Sequence, residues 1–92
     1  MPPIKTHSFR DKRWRIDQKH IRGDATGLCD SPDAKGKTIT IDPDQDDNDL
    51  LETIIHEGLH ACLWDISEEA VAETARDVVR LAWRYGFRRS QD

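Results

Sequence analysis

The chain has 92 residues, of which 36% are hydrophobic and 35% charged, and a formal net charge of −4. This length allows one small domain with a modest core and excludes a two-domain protein, so residues 1–92 are predicted to form a single compact unit. Two cysteines are too few for a disulfide framework, and no apolar run matches a transmembrane helix or a signal peptide, so we expect a cytoplasmic protein without a membrane partner.

The N-terminal quarter of the chain is basic, because residues 1–22 carry seven Lys or Arg and only two Asp. Trp14 and Ile16 alternate here with Arg13 and Arg15, which is the period of a half-buried strand. A basic segment with a tryptophan could also contact nucleic acid. The alternation favours a strand whose charged face is exposed to solvent. Nucleic acid is therefore the less favoured partner.

The next segments alternate between turn and strand. Residues 23–37 are rich in Gly, Asp, Ser and Pro and are predicted to form turns. Residues 38–41 are β-branched, alternate in polarity and precede a proline, so they predict a strand. We therefore expect a small antiparallel sheet of two to four strands within residues 4–42.

A helix is predicted over about residues 49–64, where Asp49 followed by Glu52 resembles a capping box. Its centre contains His56, Glu57 and His60 in the pattern H-E-x-x-H. At 100° per residue, the positions on the side away from the histidines are expected in the core. They are Leu51, Ile54, Ile55, Leu59 and Cys62.

This pattern predicts a zinc site. His56 and His60 are one helical turn apart and can both reach one Zn²⁺, and Glu57 can reach a water on that metal. The alternative is an ordinary amphipathic helix with two exposed histidines. The periodic context favours the metal site.

A second helix is predicted over about residues 68–85. Ser67 or Asp65 can cap its start, and Gly86 is typical of its end. The short connection makes the two helices an antiparallel hairpin, so the predicted class is α+β, with the sheet packed on this hairpin. The expected apolar stripe of the second helix comprises Val71, Ala75, Val78, Val79 and Ala82.

A catalytic zinc usually has three protein ligands. Folding the hairpin about a turn near Ile66 brings Glu73 closest to the histidines, ahead of Glu69 and then Glu68, although Glu68 lies nearer the apolar stripe. Asp77 is on the same face as Glu73, where it could orient a ligating imidazole.

The motif His56-Glu57-Gly58-Leu59-His60, followed by Glu73-Thr74-Ala75-Arg76-Asp77, resembles the H-E-x-x-H and E-x-x-x-D signatures of gluzincin metallopeptidases. Over about residues 37–85 the chain is most similar to minimal members: minigluzincins, ImmA/IrrE-type peptidases and compact phage or bacterial peptidase-like proteins. The resemblance implies a zincin-like fold. It also implies that His56, His60 and Glu73 are zinc ligands, that Glu57 is the base, and that an extended substrate pairs with Ile39, Thr40 and Ile41.

The predicted function is hydrolysis of a peptide or protein substrate by a zinc-activated water, with Glu57 as catalytic base. Donors for the developing oxyanion could be His7, His20, Tyr85 or an arginine. One alternative is a non-catalytic, zinc-stabilised binding module associated with protein or nucleic acid. Another is hydrolysis of a non-peptide bond by the same residues.

Overall fold

The computed structural model describes residues 4–90. It confirms the α+β class with a four-stranded sheet and two helices. The ends of the predicted domain, residues 1–3 and 91–92, lie outside the described part. The elements in chain order are β1 (Thr6–Phe9), β2 (Lys12–Gln18), β3 (Gly27–Cys29), β4 (Thr38–Ile41), α1 (Asp47–Cys62) and α2 (Glu68–Arg84).

The sheet is mixed, with the strand order β1-β2-β4-β3. β1 and β3 run antiparallel to their neighbours, but β2 and β4 are parallel, with Ile16 opposite Ile39. The prediction of a purely antiparallel sheet is therefore wrong at its centre. The reason is that β4 lies between β2 and β3 and runs in the same direction as β2. The prediction of turns throughout residues 23–37 is also wrong, because Gly27–Cys29 form β3. A strand of three residues is too short to show an alternating pattern in the sequence.

The core lies between the sheet and α1 and centres on Trp14, Ile39 and Ala61, all nearly inaccessible to solvent. The Trp14 indole Nε1 donates to the Asp30 carbonyl at 3.2 Å, so its one polar atom is satisfied inside the protein. Trp14 points inward while its neighbours Arg13 and Arg15 are exposed, which confirms the alternation expected for β2.

Helix α1 begins earlier than predicted. Asp46 is its N-cap and accepts a hydrogen bond from the Asp49 amide at 2.9 Å, so the capping assignment to Asp49 and Glu52 is wrong. An acidic run offers several side chains able to cap a helix, and sequence alone does not choose among them. The backbone ends the helix at Cys62, with Leu63 as its C-cap.

The buried line of α1 also differs from the expected core side. Thr53, Glu57 and Ala61 are buried, whereas Ile54 is 46% exposed. The cause is that α1 lies between the sheet and α2, so its burial is divided between two sides. The other residues predicted for the core are only partly buried: Leu51, Ile55, Leu59 and Cys62.

Helix α2 begins and ends as predicted. The Ser67 hydroxyl accepts from the Ala70 amide at 3.1 Å, and Gly86 has a φ of 97°, a backbone conformation that favours glycine. Its amide donates to the Trp83 carbonyl, and the next amide donates to Ala82, which together close the helix end as in a Schellman motif.

The only element that α2 contacts within residues 4–90 is α1. Val71, Ala75 and Val79 are buried, but Val78, also predicted for the apolar stripe, is exposed. Over the same residues, neither helix combines the length and the apolar character that crossing a membrane requires.

Candidate metal centre

Two histidines of α1 point to the same place. His56 and His60 are four residues apart, so they follow each other on one face of the helix. Their Nε2 atoms are 3.2 Å apart, and both side chains are largely shielded from solvent. The sequence-based prediction that these two nitrogens can converge on one point therefore agrees with the structure.

Glu68, the first residue of α2, completes the cluster. One carboxylate oxygen lies 2.8 Å from His56 Nε2, and the other lies 2.6 Å from His60 Nε2. The three residues can each offer one ligand atom within 4.8 Å of the others. Within the described chain they form the group of His, Cys and acidic side chains that could hold a metal ion.

The structure does not bring Glu73 or Asp77 to this cluster. Glu73 is exposed on α2, and the Asp77 carboxylate lies beside the side chain of Arg76, at 3.3 Å from its Nε. Glu68 is three residues before Val71 and seven before Ala75, so it shares the side of α2 that faces α1. The prediction ranked position along the hairpin above the side of the helix on which each glutamate lies, and the structure shows that the side of the helix decides which glutamate reaches the histidines.

Glu57 lies beside the histidines but on the buried side of α1, where it is 7% exposed. Its burial raises the pKa of the carboxyl group, an effect that the neighbouring His56 and His60 oppose and the charge of Glu68 reinforces. The carboxylate thus lies at the base of the site, shielded from bulk water.

Gly27 of β3 allows this position. A Cβ on Gly27 would lie 2.6 Å from a Glu57 carboxylate oxygen and 2.8 Å from a methyl group of Thr53. The sheet and α1 therefore approach so closely here that only glycine fits. A glycine inside a strand can mark such an approach, which is the signal that could have found Gly27 from sequence.

A chain of hydroxyl and amide groups holds β3 against α1 above Gly27. The Thr53 hydroxyl donates to the Gln45 side-chain oxygen at 2.9 Å and lies 3.0 Å from the Thr26 hydroxyl. The Gln45 amide nitrogen in turn donates to the Asp42 carbonyl. These bonds fix the distance between the edge of the sheet and the helix that carries Glu57.

The site opens into a cleft with two adjoining recesses, of ≈ 270 and ≈ 330 Å³. Gly27, His56, Glu57 and Glu68 line both recesses. The first recess is acidic and polar and is also lined by Asp24, Ala25, Thr26, Glu52 and Thr53. The second has a mixed polar and apolar lining and is also lined by Leu28, Cys29, His60 and Trp64.

Cys29 borders the second recess as a protonated thiol. Burial raises its pKa to about 12, and the negative charges of Glu57 and Asp30 and the nearby Cys62 thiol contribute further. Its Sγ donates to the Asp30 carbonyl at 3.4 Å.

The candidates for an oxyanion donor lie elsewhere. His20 Nδ1 is 3.0 Å from the Asp42 carboxylate, the His7 ring packs on Phe9, and Tyr85 is exposed at the end of α2. The aromatic residue that does line the cleft is Trp64, whose ring lies edge-on to His60 at 6.2 Å between centroids. Because Trp64 follows His60 by four residues, just beyond α1, this spacing could have indicated from the sequence that Trp64 lies at the cleft.

Ile39, Thr40 and Ile41 cannot pair with a substrate as expected, because β4 is bonded to β2 on one side and to β3 on the other. Within residues 4–90, the strand at the edge of the sheet next to the histidines is β3. The expectation assumed that the strand before the motif helix is the outermost strand, which the inserted position of β4 overturns.

Comparison with protein-family models, with curated proteins and with solved structures gives no match.

Proposed function

We propose that this chain is a zinc-dependent peptidase of the gluzincin type, with a minimal zincin-like fold. His56, His60 and Glu68 are its metal ligands, and Glu57 is its general base. The proposal is carried by one observation: three ligand atoms from two helices lie within 4.8 Å of one another, with the Glu57 carboxylate buried beside them.

The donor set suits zinc. Imidazole nitrogen and carboxylate oxygen are its usual ligands in catalytic sites, and three protein ligands leave a fourth position for water. Bonds of about 2.0–2.2 Å place tetrahedral ligand atoms about 3.3–3.6 Å apart. The two histidine nitrogens are 3.2 Å apart, and each lies within 2.8 Å of one of the two Glu68 carboxylate oxygens, so these donors are grouped closely enough to share one ion.

The roles of the chain's own groups follow from their positions. A zinc ion bound here would lower the pKa of a water molecule and polarise a carbonyl group. Glu57, next to His56 in the sequence and buried at the base of the cleft, accepts the proton of that water and passes it to the leaving amine. Because Glu57 is only 7% exposed, little bulk water competes for its carboxylate during this transfer.

The substrate is an extended peptide that pairs with β3 rather than β4. On either side of β3, the Thr26 carbonyl accepts from the amide of Asp42, directly after β4, and the Asp30 amide donates to the Thr38 carbonyl of β4. In an antiparallel ladder the bonding direction alternates, so the backbone groups of Gly27 and Cys29 point to the open edge. A peptide added there passes directly over the histidines.

The test is hydrolysis of a peptide library by the zinc-loaded protein and by Glu57→Gln. We expect the variant to bind zinc as tightly as the wild type and to lose at least about 100-fold in kcat/KM, because general base catalysis is removed. Glu69→Gln, an equal change at an exposed position of α2, should keep full activity.

Two outcomes contradict the proposal. Equal cleavage by Glu57→Gln would remove the mechanism. Zinc binding without cleavage of any library peptide by the wild type would instead favour a zinc-stabilised binding module.

A further inference from the structure

Helix α2 carries a second apolar stripe on a side that α1 does not cover. Val78, Leu81 and Tyr85 are 45%, 58% and 79% exposed, and their spacing of three and four residues places them in one line. Ala70 and Thr74 continue this line toward the start of the helix. Since α2 contacts no strand within the described residues, the stripe faces outward.

We propose that two copies of the chain pair through this stripe, with their α2 helices antiparallel and a two-fold axis near Val78. An interface of this kind uses the same patch on both copies, so the patch must complement itself when reversed. The residues of the stripe meet that requirement in size and in charge.

The sizes match in reverse order. Positions at nearly equal distances from the axis face each other. This places Tyr85 over Ala70 of the second copy and Leu81 over Thr74, and Val78 packs against its own symmetry mate. On either side of the central valines a large side chain thus meets a small one, as close packing between helices requires.

The charges match in a register that differs by only one residue. On one flank of the stripe, acidic Glu73 and Asp77 are followed by basic Arg80 and Arg84. Antiparallel pairing brings Glu73 near Arg84 of the second copy and Asp77 near Arg80. In a parallel two-fold pair the same flanks would lie on opposite sides of the interface and these ion pairs could not form, so the flank favours the antiparallel orientation.

The contacts that the charged flank already makes within one copy do not prevent this pairing. The contact between Asp77 and Arg76 is exposed, and pairs of that kind contribute little stability. Glu68 lies on the side of α2 that faces α1, so pairing leaves the metal centre open. The inference therefore does not depend on the proposed function.

Sedimentation velocity of the full chain over a range of concentrations tests the pairing. We expect a concentration-dependent dimer for the wild type and a monomer for Leu81→Asp. Glu73→Arg alone and Arg84→Glu alone should each weaken dimerisation at least about tenfold, because each sets two like charges face to face across the axis. Mixed in equal amounts, these two variants should form a heterodimer, since both cross-axis pairs are then opposite in charge.

Arg76→Glu is the matched control for Arg84→Glu. It makes the same charge change on α2 outside the stripe and its charged flank, so this variant should dimerise like the wild type. The heterodimer also shows that both single variants are folded. A wild type that remains monomeric into the millimolar range overturns the proposal. So does a dimer that survives Leu81→Asp, or a mixture of the two charge variants that stays monomeric.

Discussion

Gly27 lies so close to the carboxylate of Glu57 that a Cβ at position 27 would be 2.6 Å from a carboxylate oxygen. Gly27 leaves no space for a methyl group, because Glu57 and Thr53 occupy that volume from α1. A buried carboxylate has few ways to be held in one position, and here the backbone of the edge strand forms one wall of its pocket. The position of Glu57 therefore depends on the smallest residue in the sheet.

We predict that Gly27→Ala destabilises the fold and impairs the site. The new methyl group would overlap the Glu57 carboxylate and the Thr53 methyl group, and Thr53 is fixed by its hydrogen bonds. Overpacking of this kind costs about 1–3 kcal/mol, to be measured by urea denaturation. Displacement of Glu57 should also lower kcat more than it raises KM.

The control is Gly58→Ala, inside the histidine motif. A Cβ there would meet the Phe9 ring at 3.4 Å, an ordinary contact, and alanine favours a helix by up to about 1 kcal/mol. This variant should be as stable as the wild type or more so. If Gly27→Ala unfolds at the same urea concentration as the wild type, the close approach of β3 to α1 does not restrict position 27 to glycine.

At the level of elements, the end of β4 is joined to two neighbouring segments through one side chain. The Asp42 carboxylate accepts from the Ile21 amide at 3.2 Å and from the Asp44 amide at 2.9 Å, and it lies 3.0 Å from His20 Nδ1. It thus ties the segment after β2 to the loop that enters α1. The position of α1 relative to the sheet therefore depends on the Asp42 side chain.

Stability should depend on the ionisation of Asp42. Hydrogen bonds from the Asp44 and Ile21 amides, aided by His20, lower the pKa of its carboxyl group below the ordinary value. Such a group stabilises the fold fully above its unfolded pKa, and this contribution is lost as the pH falls through the folded pKa.

Asp42→Asn should therefore unfold at a lower urea concentration than the wild type at neutral pH, and the difference should shrink toward about pH 3. Asp44→Asn is the matched control, an equal change at an exposed position, and should differ little from the wild type at either pH. A gap for Asp42→Asn that is constant with pH would show that ionisation of this carboxyl group is not the source of its effect.

For the whole molecule, the core is thin. The largest side chains that are fully buried within residues 4–90 are Trp14, Val71 and Val79, and α2 is attached through α1 alone. A metal held by His56, His60 and Glu68 would join α1 and α2 across the five-residue connection 63–67. Binding to the folded state alone would then stabilise the entire chain.

We predict that zinc raises the melting temperature of the wild type. The free energy of unfolding should rise by about 2.7 kcal/mol when free zinc is about 100-fold above its dissociation constant. Glu68→Gln should lose most of this gain, whereas Glu73→Gln should retain it, as measured by calorimetry with and without zinc. If Glu73→Gln instead loses the gain and Glu68→Gln retains it, then Glu73 is the third ligand.

Much of this architecture follows from local pattern. The alternation around Trp14 predicts β2 and its inward side, and Thr38–Ile41 predicts β4. Ser67 and Gly86 mark the ends of α2, because capping chemistry depends on neighbours in sequence. The convergence of His56 and His60 is equally local, since the helical period alone sets it.

What the sequence determines by itself is therefore whatever depends on residues within about one helical turn or one strand: β2, β4, the existence of the two helices, the ends of α2, and the pair of histidines. Tertiary structure alone decides that β4 enters between β2 and β3, that Glu68 rather than Glu73 meets the histidines, and that Gly27 makes room for Glu57. Each of these depends on the rotation and distance of elements that are remote in the chain, and close packing fixes those only when all the elements are assembled.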